Sequence, residues 1–156
     1  MIFQTTLYNH TVAGVPKHIR ADIEAVLASY QCAIRPNSAA TVRNGLLAHL
    51  RGVDGWSGQV RISAQRGLTL TAKKGNTALC LQTGNMARFY ADLMKLQAQF
   101  VDGKIDSAVY ILPTVDMARI MGSNMANYER LVDELTSTFR NVITVPIAIY
   151  GLAQTN

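Results

Sequence analysis

Acidic side chains are scarce in this 156-residue sequence, and residues 55–91 contain none. The chain holds ten Asp and Glu against fifteen Lys and Arg, a formal charge of +5. A carboxylate-based catalytic centre within 55–91 has nothing to be built from. Cysteine is equally sparse: Cys32 and Cys80 are the only two, too few and too far apart for a disulfide framework or for a zinc site, which needs paired ligands at short spacing. Both read as reduced, core-type thiols. His10, His18 and His49 are scattered without metal-ligand spacing. No apolar run approaches the ~20 residues that a membrane-spanning helix requires, and there is no repeat, low-complexity tract or Pro/Ser-rich linker. Met1–Thr6 lacks a basic region followed by a long apolar run, which predicts no secretory signal and a cytoplasmic location.

What is present is 49% apolar and 16% charged, a composition that excludes disorder and fits one folded domain over residues 1–156. The charge is unevenly spread. Residues 1–90 hold ten basic and three acidic side chains, a balance of +7, while residues 91–156 hold five and seven, a balance of −2. Eight cations lie between Arg35 and Arg88 against one acid, Asp54. Such a stretch suits a polyanion, each cation being able to contact one phosphate; the plainer alternative is a solvated surface with scattered charges.

Apolar spacing predicts helices over 16–29, opened by Pro16, and over 38–51, capped by Ser38 and stopped by Gly52. The period then shortens. Val60 and Ile62, Leu68 and Leu70, and Thr77–Leu81 read as three successive strands with turns at 65–67 and 73–76. A wide apolar stripe over 86–99 predicts a helix whose exposed side pairs Arg88 with Asp92. Ala108–Leu112, apolar on both faces and halted by Pro113, reads as a central strand. A short helix over 115–121, a longer one from a Ser123 cap to about 139, and a last strand over 142–150 complete the chain. Pro146 inside that last strand predicts an edge position or a bulge. The fold class is α/β, a mixed sheet flanked by helices.

The order from Val60 onward, three strands, a helix and a buried strand, is that of the PD-(D/E)XK nuclease fold. Within it, the segment Leu79-Cys80-Leu81-Gln82-Thr83-Gly84-Asn85 with the helix after it, and Ile105–Pro113, resemble the BglII/BamHI group of type II restriction endonucleases. The resemblance covers residues 58–150; residues 1–57 read as a helical N-terminal part without it. It implies a restriction-endonuclease-like sheet, DNA as partner, a homodimer, and Mg²⁺ as cofactor if the protein is active. The family pattern places its catalytic side chains at Thr71, Cys80 and Gln82. Only Gln82 keeps the family's residue; the two acids are replaced by a hydroxyl and a thiol, poor ligands for Mg²⁺. The resemblance thus implies a DNA-binding protein lacking the standard metal-dependent phosphodiesterase site, with Lys73, Lys74, Asn85, Arg88, Arg61 and Arg66 as DNA-contacting candidates.

Several residues admit two readings. Cys80, between Leu79 and Leu81, is a nucleophile only if a base or cation adjoins it, and otherwise a core thiol. Thr83-Gly84-Asn85 either offers backbone N–H groups to a phosphate or simply caps the following helix. Gln82 is a site residue or a structural brace. Gly122-Ser123-Asn124, with Asn127 and Arg130, opens a helix or reaches a ligand, and Trp56 stacks on a base or anchors packing. Two further possibilities are a silent structural or oligomerisation protein of the same fold, and an active enzyme with an atypical site using Asp92, Asp106 or Glu129.

Overall fold

In the computed structural model, which describes residues 1–10, 14–63 and 65–154, a five-stranded mixed sheet is covered by helices on both faces. The elements run β1 (Ile2–Tyr8), α1 (Lys17–Ser29), α2 (Ala39–Arg51), β2 (Val60–Arg61), β3 (Thr69–Leu70), β4 (Ala72–Lys74), β5 (Thr77–Leu81), α3 (Met86–Val101), β6 (Ser107–Pro113), α4 (Val115–Met121), α5 (Tyr128–Thr136) and β7 (Ile147–Ala153). The sheet order is β1-β7-β6-β5-β4, while β2 and β3 form a separate two-stranded ribbon. β5, β6 and β7 are parallel to one another, and β1 and β4 are antiparallel to their neighbours at the two edges.

Alternation along β5–β7 sends side chains to two cores. Leu79, Leu81, Val109, Ile111, Ala148 and Tyr150 meet the apolar stripes of α1, α2 and α4. Ala78, Cys80, Ala108, Tyr110, Ile147 and Ile149 meet those of α3 and α5. β6 is buried at every position, as its apolar run predicts for a strand covered on both faces.

Four expectations are corrected. The N-terminal part is not purely helical, because Ile2–Tyr8 forms an edge strand along the full length of β7. Its apolar residues do not alternate cleanly, so the strand is specified by its partner and not by its own period. Lys73 and Lys74, read as part of a turn, belong with Ala72 to strand β4; the chain reverses at Gly75, whose φ of 54° belongs to the left-handed region. Pro146 places β7 neither at an edge nor at a bulge. It stands just ahead of the strand, where its missing N–H is not needed, and its carbonyl accepts the Ala108 N–H at 2.9 Å. The helix expected from Ser123 to 139 begins only after Asn127, whose side chain accepts the Arg130 N–H, and ends at Thr136. The preceding residues are tied into an isolated bridge between Asn85 and Met125, with Asn124 at φ 52°. A smaller difference concerns Ser38, which does precede α2, yet its hydroxyl accepts the Arg35 N–H instead of capping the helix. Among the described residues, no helix is long and apolar enough to cross a membrane.

Candidate functional site

A cleft of about 390 Å³ opens where β5 ends, and its lining includes Arg43 of α2, Thr69 and Thr71, Gln82–Gly84, and Arg88, Asp92 and Lys95 of α3. Topology creates it. At Thr71 the chain passes from the β2–β3 ribbon into the main sheet, and the ribbon's Thr69 and Leu70 stand as one wall. Thr71 is fixed to β5 through both its N–H, donated to the Leu79 carbonyl at 3.1 Å, and its Oγ1, which accepts the Leu81 N–H at 3.1 Å. The opposite wall is α3, capped by Asn85, whose side chain accepts the Arg88 N–H.

Gln82 is buried, and both ends of its amide are used. Nε2 donates to Asp92 Oδ2 at 2.7 Å and Oε1 accepts the Gly84 N–H at 2.8 Å. The donor and acceptor demands of these partners orient the amide uniquely. Gln82 thus braces Asp92 against the Gly84 backbone. Gly84 is required by the same contact: a Cβ there would lie 2.8 Å from Gln82 Oε1.

Among the described residues that line the cleft, Asp92 is the one carboxylate, supplied by helix α3 and not by a strand. The exposed pair with Arg88 does not form. Instead Asp92 turns inward: Oδ1 lies 2.5 Å from Lys95 Nζ, and Oδ2 accepts from Gln82 and, at 3.3 Å, from the Tyr110 hydroxyl. Lys95 also donates to the Thr69 carbonyl at 2.9 Å, joining α3 to the ribbon. Arg43, on the far wall, donates through a guanidinium N–H to the Leu81 carbonyl. Burial pushes the Tyr110 hydroxyl well above its ordinary range and Asp92 adds to the effect, so tyrosine serves as the donor.

Of the three family positions, Thr71 and Gln82 line the cleft, whereas Cys80 points into the α3–α5 core. Burial pushes the Cys80 thiol up, Asp92 pushes it further, and Lys95 and Arg43 act weakly against them. A thiol held protonated in this way suits a core cysteine. The family's Mg²⁺ does not fit these residues. A hard divalent cation wants several free anionic or neutral oxygens. Here the single carboxylate has both oxygens engaged by donors, the Gln82 carbonyl faces an N–H, and the third position is a buried thiol. Among the described residues no cluster of three His, Cys, Asp or Glu could hold a metal; Asp106 bonds to Asn76 and Glu129 to the Val115 N–H.

The DNA-contacting candidates are dispersed. Arg88 is exposed on the cleft wall and Asn85 caps the helix beside it. Arg61 and Arg66 are exposed on the ribbon and its turn. Lys74 is held elsewhere, 2.7 Å from Asp22 and 2.6 Å from the Asp54 carbonyl, and Lys73 donates to the Lys104 carbonyl. Trp56 is a buried anchor in the α1–α2 core. Arg130 pairs with Glu134 at 2.6 Å and reaches the Tyr90 hydroxyl. Arg43 and Lys95, both in the cleft, carried no distinguishing signal in the sequence. Asp92 carried one: it shares the buried helical stripe with Phe89 and Leu96, where an acid needs a partner.

Known proteins resemble this chain in two ways. The solved structure described as restriction endonuclease BglII complexed with a DNA 16-mer superposes with a TM-score of 0.87 at 16% identity, covering 99% of this chain and 79% of that one. No curated protein sequence matches. The family model described as restriction endonuclease BglII/BglIII matches residues 8–152, taking in the N-terminal helices as well as strands β4–β7 of the sheet. The chain belongs to the BglII/BglIII restriction endonuclease family.

Proposed function

We propose that this protein binds duplex DNA in the cleft at the end of β5 and does not hydrolyse it by the family's metal-dependent route. The carrying observation is the positive balance of the cleft: Arg43, Arg88 and Lys95 surround one carboxylate that is already paired, and no other acid lines it among the described residues. Three cations against one anion favour phosphate, while the hydroxyl of Thr71 and the thiol of Cys80 offer no anionic oxygen for a metal. Family membership and the likeness to a DNA-bound relative support DNA as the polyanion. A homodimer belongs to the same reading, because a twofold protein matches the pseudo-twofold symmetry of duplex sites; sedimentation with and without DNA measures it.

The test is salt-titrated binding to duplex DNA beside a plasmid-cleavage assay in Mg²⁺ and Mn²⁺. Binding should weaken steeply with salt and cleavage should be absent. No binding at ~50 mM salt, where phosphate contacts are strongest, refutes the binding half. Metal-dependent cleavage that disappears in Gln82→Ala refutes the other half.

A further inference from the structure

Lys95 is the most tightly engaged cation of the cleft. Its side chain and that of Asp92 are only 19% and 12% exposed, and the two groups sit one helical step of three residues apart on α3. The ammonium has a second anchor in the Thr69 carbonyl, so it cannot swing out of the cleft without losing two partners at once. The remaining carboxylate oxygen is closed by Gln82 and Tyr110, themselves fixed by Gly84 and by β6. A divalent ion approaching Asp92 would have to displace a resident positive charge of the same protein.

We propose that Lys95 is an internal substitute for the metal: its ammonium neutralises Asp92 permanently, occupies the side on which a divalent cation would meet that carboxylate, and makes phosphodiester binding there metal-independent. The inference rests on the DNA-binding reading for its last element and on the Asp92–Lys95 geometry alone for the first two. An ammonium has three donors. Two are committed to Asp92 and Thr69, which leaves one for a phosphate oxygen entering beside Arg43 and Arg88. The same point charge thus balances the carboxylate and attracts the backbone of DNA.

The experiment titrates Mn²⁺ alone into the free protein, following unbound Mn²⁺ by its spin-resonance signal, and separately measures duplex DNA affinity in EDTA and in Mg²⁺. Wild type should take up no Mn²⁺ saturably. Lys95→Met frees one carboxylate oxygen only, short of the several that a divalent cation needs, so it should gain no tight Mn²⁺ site; it should instead bind DNA more weakly than wild type in EDTA, with a salt slope flatter by about 0.9. Wild-type DNA affinity should be the same in EDTA and Mg²⁺. Saturable Mn²⁺ uptake by wild type that Asp92→Asn abolishes overturns the proposal, as does a folded Lys95→Met protein that binds DNA in EDTA with wild-type affinity and salt slope. Should Lys95→Met not fold, the wild-type measurements still decide, since an Mg²⁺-dependent gain in DNA affinity overturns it equally. Absence of any DNA binding defeats the functional reading while the Mn²⁺ titration judges Lys95 independently.

Discussion

Asp92 Oδ1 and Lys95 Nζ lie 2.5 Å apart on one face of α3, in the cleft between that helix and the β2–β3 ribbon. Breaking a buried pair leaves one charge uncompensated, which typically costs about 3 kcal/mol or more. Asp92→Asn strands an ammonium that keeps only the Thr69 carbonyl, whereas Lys95→Met leaves a carboxylate still held by Gln82 and Tyr110. Both variants should lower the urea midpoint, and the double variant should lose less than the sum of the two, with a coupling of about 1–3 kcal/mol. Strict additivity would mean that the pair contributes nothing beyond its separate members.

Gly84 answers to geometry in the same network. A methyl group there meets Gln82 Oε1 at 2.8 Å and Arg88 Cδ at 3.3 Å. The amide must retreat, weakening both its bond from the Gly84 N–H and its grip on Asp92. Gly84→Ala should cost about 1–3 kcal/mol, read as a fall in thermal midpoint. Gly58→Ala, with nothing within 4 Å of the added carbon, should stay within about 0.5 kcal/mol.

Much of this architecture is legible without coordinates. The buried run Ala108–Leu112 announces a central strand, and the Gln82-x-Gly84 segment carries the family likeness that the match over residues 8–152 extends to the N-terminal helices. What escapes is long-range. The edge strand Ile2–Tyr8 exists because β7 offers it a ladder, and nothing in its own spacing says so. Arg43 reaches the Leu81 carbonyl across 38 residues, a contact no local period encodes. The place of Asp92 in the buried stripe of α3 is legible, yet its pairing with Lys95 is not, since a spacing of three suits a solvated surface pair equally well.

The cleft cations and the tethered lysines should separate in a salt titration of DNA binding. Each phosphate contact contributes about 0.9 to the slope of log affinity against log salt. Arg43→Ala and Arg88→Ala should each flatten the slope by about that amount, uniformly across DNA sequences. Lys74→Ala should leave the slope unchanged, because Lys74 lies outside the cleft, tied to Asp22 and to the Asp54 carbonyl. Its effect should appear instead as a modest stability loss of roughly 0.5–1 kcal/mol, the range for a partly exposed pair. A flattened slope in Lys74→Ala with none in Arg88→Ala would move the DNA surface from the cleft to the sheet edge at β4.

Alkaline pH gives the last test, and its sign follows from two buried acids. The Cys80 thiol and the Tyr110 hydroxyl are both raised in the folded protein above their ordinary values of 9.0 and 10.0, chiefly by burial and then by Asp92. Between those ordinary values and the higher folded ones, the native state holds protons that the unfolded chain has released. Unfolding then releases protons, so rising pH favours it. The stabilisation is complete below pH 9 and drains away above it, by about 1.4 kcal/mol per pH unit for each group in its window. Urea midpoints measured from pH 8 to 11 should fall first near 9 and more steeply beyond 10. Cys80→Ala lowers the starting stability through lost packing, yet removes the first of these steps, so its curve should stay level until the tyrosine window. A wild-type curve that is flat from 8 to 10 would show that the thiol ionises as freely in the folded protein as out of it, and that Cys80 is not sealed in the core.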